Sequence, residues 1–160
     1  MKILAVDDDP TILEMLSNCL TARHGFDLVC AVHAEQALAL LDDSETDFDC
    51  FLLDIMLPGI DGIALCAKLR SLQKHRQTPI LMITASTTAD LMNRAFEAGA
   101  TDFIYKPLNG VELGARINTA GLLNDSLRRE RVAHHSLAEL TDLMKIRPEE
   151  SFDLGVPDVH

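Results

Sequence analysis

Five short apolar runs alternate along this chain with longer segments whose apolar residues recur every three or four positions. The runs near 2–6, 27–32, 48–53, 79–83 and 101–104 read as strands. The segments near 10–23, 34–42, 62–73 and 88–98, with a last one starting near 109, read as helices. Such alternation calls for a parallel sheet, because right-handed crossovers carry each helix over the sheet and parallel strands need both faces covered. The pattern predicts an α/β fold with a five-stranded parallel doubly wound sheet. Local signals agree with it. Pro10 suits the first turn of a helix, Pro58-Gly59 marks a turn, and Gly25 and Gly99 sit where helices should stop.

In a sheet of this kind functional groups collect at the carboxyl ends of the strands. The first predicted strand ends in Asp7-Asp8-Asp9, the third in Asp54, the fourth in Thr84 and the fifth in Lys106. Asp9, ahead of Pro10 and Thr11, reads as a helix cap. The remaining acids repel one another, so either one keeps a proton or a hard divalent cation neutralises them. Oxygen-only ligands favour magnesium over zinc. Magnesium, an ammonium and a hydroxyl around a carboxylate suit phosphoryl transfer, which needs charge neutralised on the equatorial oxygens and a nucleophile held in line. Asp54 is then the phosphoacceptor.

Composition narrows the partners. A chain of 160 residues that is 48% hydrophobic supports one core with an appendage. A net charge of -11 argues against direct nucleic-acid binding, which needs a basic surface. No apolar stretch is long enough for membrane insertion and no secretory leader is present, so a cytoplasmic protein is expected. Cys19, Cys30, Cys50 and Cys66 form no C-x-x-C pair and are expected to be buried, reduced thiols.

Val6-Asp7-Asp8-Asp9-Pro10, Leu53-Asp54 through Gly62, Thr84-Ala85 and Lys106-Pro107, in this order and at this spacing over residues 1–120, resemble the receiver domain of two-component response regulators. The resemblance implies a flavodoxin-like strand order, 2-1-3-4-5. It also implies that Asp54 accepts phosphate from a phosphohistidine of a histidine kinase or phosphotransfer protein. Asp8, Asp54 and the backbone carbonyl of Met56 would bind Mg2+, Asp7 assisting through water. Lys106 would pair with the phosphoryl group, Thr84 would follow it, and Phe103 would take the place of the aromatic switch residue. Met56 and Ser86 flank the site where the family varies, and the Lys106-Pro107 bond is often cis. Such a domain is a phosphoacceptor that catalyses its own phosphorylation and dephosphorylation, not a conventional enzyme.

A second phosphoryl-transfer reading comes from Asp7-x-Asp9-x-Thr11, which fits the D-x-D-x-T pattern of haloacid-dehalogenase-type phosphatases with Asp7 as nucleophile. That family needs a further acidic pair after the lysine, whereas Glu112 and Asp125 stand alone. It also leaves Asp54 unexplained. Dinucleotide binding fares worse, since no G-x-G-x-x-G follows the first strand.

Beyond the receiver-like part, residues 121–147 continue the last helix and 148–160 read as an acidic, solvated tail. Leu113, Ile117, Ala120, Leu123 and Leu127 form one apolar stripe. Ala133, Leu137, Leu140 and Met144 resume it at alternating four and three spacing, and Arg147-Pro148 should end the helix. An amphipathic extension of this kind is expected to pair with a second copy of itself, giving a homodimer. His134 and His135 are neighbours on a helix, point in different directions and read as surface residues. Some forty residues cannot hold an output domain with its own core, so the chain reads as a stand-alone regulator or as the receiver and linker of a longer protein.

Overall fold

The computed structural model describes residues 1–42 and 45–145. Its strands are β1 (Lys2–Val6), β2 (Asp27–Ala31), β3 (Cys50–Asp54), β4 (Ile80–Thr84) and β5 (Asp102–Tyr105). Its helices are α1 (Pro10–Ser17), α2 (Ala34–Asp42), α3 (Gly62–Ser71), α4 (Ala89–Ala98) and α5 (Gly110–Lys145). The strands pair in parallel in the order β2-β1-β3-β4-β5, as expected for the flavodoxin-like arrangement. Two strand ends lie later than the apolar runs suggest. Asp54 and Thr84 are the last residues of β3 and β4 rather than the first residues after them, so the backbone ladder itself holds them.

Alternating side chains of the sheet feed two cores, one on each face. Leu4, Phe51, Leu53, Met82 and Phe103 point toward α2, α3 and α4, where they meet Ala37, Leu65, Leu69 and Ala95. Ile3, Ala5, Leu52, Ile83 and Ile104 point the other way and meet Leu16 of α1 and Leu113, Ile117 and Ala120 of α5. Residues 50–54 of β3 are all buried, which explains why this strand reads as an unbroken apolar run. Asp54 is thus the polar end of the most buried strand.

Three expectations need correction. The predicted helix 10–23 is α-helical only to Ser17 and widens to a π-helical turn over Asn18–Arg23 before Gly25 turns the chain at φ 65°. Cys50 and Cys66 are buried, but Cys19 and Cys30 are only partly so; all four thiols are free. The stripe of the last helix also drifts. Leu123 is 48% exposed, and the buried position beside it is Asn124, 4% exposed, whose Nδ2 donates to the Asp49 carbonyl at 3.3 Å. A helical face at this radius rotates by a residue over a few turns, and a polar group inside is tolerated once hydrogen-bonded.

Met1–Leu127 forms one compact unit, and the residues from Arg128 form a second. Every side chain of α5 from Arg128 to Lys145 is exposed, including Val132, Leu137, Leu140, Leu143 and Met144. His134 and His135 are exposed too, His135 lying 3.1 Å from Glu139 one turn on. The helix end expected at Arg147-Pro148 and the tail 148–160 lie outside the described residues. Among the described residues no helix is long and apolar enough to cross a membrane.

Candidate functional site

The carboxyl ends of β1, β3, β4 and β5 bring their polar residues to one edge of the sheet, within the Met1–Leu127 unit. Asp7 is 1% exposed and Asp54 4%, while Asp8 faces solvent. One carboxylate oxygen from each of the three lies within 4.8 Å of the others. Asp9 stands apart from this group. Its side chain accepts from the Thr11 amide at 2.8 Å and caps α1, with Pro10 opening the helix.

Lys106 arrives from the end of β5 and bridges the two buried acids. Its Nζ lies 3.3 Å from Asp7 Oδ2 and 3.4 Å from Asp54 Oδ1. The Lys106–Pro107 peptide bond is cis, and the Lys106 amide donates to the Thr84 carbonyl at 2.9 Å. Burial pushes the Asp7 carboxyl above the usual carboxylate range and the Asp54 charge adds to the rise, although the Asp9 amide, donating at 2.9 Å, and Lys106 pull the other way. Burial alone would lower the Lys106 ammonium; the charges of Asp54 and Asp7 outweigh it and raise its pKa. The acids hold the lysine charged, and one lysine cannot neutralise three carboxylates. An all-oxygen cluster with a surplus of negative charge and one member open to solvent fits a hard divalent cation such as Mg2+.

The loop after β3 is built around a close approach. Gly62, the first residue of α3, donates its amide to the Ile55 carbonyl at 2.9 Å, and a Cβ there would run into the Asp54 carbonyl oxygen. Asp61 caps α3 through the Ala64 amide at 2.8 Å, and Gly59 turns the chain at φ 74°. This packing leaves Met56 at the surface, 73% exposed. A cleft of about 410 Å³ opens there, lined by Asp8, Met56, Pro58, Leu91 and Arg94 among others.

Thr84 is buried, and its hydroxyl is occupied within its own loop: the Ser86 amide donates to Oγ1 at 3.0 Å and Oγ1 lies 3.4 Å from the Ser86 carbonyl. Phe103 is buried on β5 with its ring edge-on to Phe96 of α4, centroids 4.8 Å apart, and Phe96 is 48% exposed. The structure therefore brings Asp7, Asp8, Asp54 and Lys106 into one cluster, with Thr84 at the end of the strand beside Asp54 and Phe103 in the core below. Sequence reasoning missed the hydroxyl contacts that run on from Ser86 to Thr88; the run Ser86-Thr87-Thr88 before a helix was the available signal.

Known proteins share this arrangement. The description "Response regulator receiver domain" matches residues 3–118. The transcriptional regulatory protein SpaR of Bacillus subtilis is 38% identical over 135 residues, covering 84% of this chain and 55% of SpaR. The transcriptional regulatory protein CpxR of Klebsiella pneumoniae is 45% identical over 116 residues, covering 72% of this chain and 47% of CpxR. The chain thus spans about half the length of these two relatives. A CheY-like receiver domain protein from Methanospirillum hungatei JF-1, 28% identical, superposes with a TM-score of 0.72 over 78% of this chain and 96% of that one. These matches lend no support to the phosphatase reading through Asp7. They agree with the strand order and with the spacing of the acids and the lysine, and the chain belongs to the family of two-component response regulator receiver domains.

Proposed function

We propose that this chain is a cytoplasmic phosphoacceptor in which Asp54 receives a phosphoryl group from the phosphohistidine of a histidine kinase or phosphotransfer protein. The observation that carries this reading is the position of Asp54, a buried carboxylate at the end of the central strand β3, 3.4 Å from Lys106 and within 4.8 Å of Asp7 and Asp8. One Asp54 oxygen forms a bond to phosphorus as the phosphorus–nitrogen bond of the donor breaks. The electron pair stays with the imidazole, which takes up a proton, and an acyl phosphate remains on Asp54.

The residues that would hold Mg2+ are Asp8, Asp54 and the Met56 backbone carbonyl, with Asp7 assisting through water. Bound there, the cation would neutralise charge on the phosphoryl oxygens. Lys106 supplies a second positive charge to the same oxygens, and Thr84 a hydroxyl donor. Phe103 is the switch residue on this reading, since it lies on the strand that ends in Lys106 and packs against α4. The receiver is assigned to 1–120, the helical extension to 121–147 and the tail to 148–160. With a net charge of -11 the chain itself acts through protein contact rather than on nucleic acid.

Incubation with acetyl phosphate and magnesium should add one phosphate to the wild type and none to Asp54→Asn, as read by intact mass. Magnesium alone should raise thermal stability by mass action, by about 2.7 kcal/mol at a hundredfold excess over its dissociation constant. Uptake that persists in Asp54→Asn contradicts the assignment.

A homodimer through the last helix is the second part of this reading, favoured by the exposed Leu137, Leu140 and Met144. Leaving such a stripe in water costs about 25 cal/mol per Å² of apolar surface. The full chain should sediment as a dimer. A chain cut after Leu127, which keeps the buried Asn124, should be monomeric and still take up phosphate. A monomeric full chain at about 50 μM, enough to reveal a micromolar interface, contradicts the dimer.

A further inference from the structure

Thr88 occupies the N-cap position of α4 yet makes no capping bond. Its backbone is extended, φ -68° and ψ 131°, as a cap requires, but its side chain reaches none of the first-turn amides. Instead its hydroxyl lies 3.2 Å from the Ser86 hydroxyl, and its amide donates to the same Ser86 Oγ at 3.4 Å. Ser86 in turn is held by Thr84, through the 3.0 Å bond from its amide and the 3.4 Å contact at its carbonyl. A continuous series of hydroxyl contacts therefore joins the end of β4, beside Asp54, to the first turn of α4.

We propose that Thr88 is a conditional helix cap, withheld from α4 by Ser86 and released when Thr84 turns toward a phosphoryl group on Asp54. The inference rests on the assignment of Asp54 and Thr84 made above. A hydroxyl has one proton to donate, and a phosphoryl oxygen is a charged and therefore stronger acceptor than the Ser86 carbonyl at 3.4 Å. Once Thr84 gives its proton to the phosphoryl group, Ser86 loses one of its two ties and its side chain no longer holds Thr88. The Thr88 hydroxyl then turns to the amide of Asp90 or Leu91, at the second and third positions of α4, which have no partner within the helix. Helix α4 is suited to register so small a change, because Ala95 is its only buried side chain. Phosphorylation would thus tighten the start of α4, a helix whose exposed side chains include Phe96 and Arg94.

Hydrogen exchange on the full chain tests this, with and without acetyl phosphate and magnesium, and with uptake on each sample checked by intact mass. In the phosphorylated wild type the Asp90 and Leu91 amides should exchange about fivefold more slowly, the effect of one added cap. Thr88→Val should take up phosphate normally and show no such gain, and Thr88→Ser should retain it. Ser86→Ala should show the slowed exchange already without phosphate, because nothing then withholds the Thr88 hydroxyl. Unchanged α4 exchange in the phosphorylated wild type, a full gain in Thr88→Val, or faster α4 exchange in Ser86→Ala each overturns the proposal. If Asp54 takes up no phosphate the earlier assignment fails, and the Ser86→Ala arm, read without phosphate, still decides whether Thr88 is a withheld cap.

Discussion

The two halves of the site edge are held in different ways. The β1–β3 half, with Asp7 and Asp54, sits on strands whose side chains are buried nearly throughout, and Gly62 locks the following loop against Asp54. The β4–β5 half, with Thr84 and Lys106, leads into α4, which contributes a single buried side chain and meets β5 mainly through the Phe96–Phe103 pair and the Tyr105 hydroxyl on Met92 Sδ at 3.5 Å. Rigid placement suits a nucleophile, whose geometry must not drift. A loosely tied helix suits a readout, because a small free-energy change can shift its equilibrium. Chemistry and signal are separated by packing density within one sheet edge.

Mutations should break this contrast unequally. Phe51→Ala on β3 removes a fully buried ring and should cost about 3–5 kcal/mol in denaturant unfolding. Next comes alkaline pH. Burial pushes the Cys50 thiol up to about 12, from an ordinary 9.0, so folding favours its protonated form. Its contribution is full below pH 9.0 and is lost as pH rises toward 12, an upper bound of about 4 kcal/mol. Unfolding under reducing conditions should show that loss, and Cys50→Val should flatten it. Gly62→Ala should cost about 1–3 kcal/mol and displace Asp54, lowering phosphate uptake along with stability. Phe96→Ala should be the mildest, about 0.5–1.5 kcal/mol, with uptake intact and altered chemical shifts around Phe103. A Phe96→Ala cost equal to that of Phe51→Ala would remove the contrast.

The sheet and the acidic cluster were legible because both rest on short-range pattern. An apolar run that ends in a single acid, as at Leu53-Asp54, reports burial and position at once. The α5 face was legible only in part. Spacing finds Leu113, Ile117 and Ala120, but it cannot tell that the buried place after Ala120 goes to Asn124 and not Leu123, since that depends on the Asp49 carbonyl brought near by the fold. The π-helical turn at Asn18–Arg23 leaves no mark on apolar spacing. The withheld cap was hidden for a similar reason. Thr88 precedes α4 as any N-cap would, and only its contact with Ser86 shows that its hydroxyl points elsewhere.

Peptide mapping of the phosphorylated protein tests the central claim most directly. After acetyl phosphate and magnesium, the phosphate should be found on the peptide that carries Asp54 and on no other. Phosphate on the peptide that carries Asp7 and Asp8 would contradict it, and with it the division of labour across the site edge.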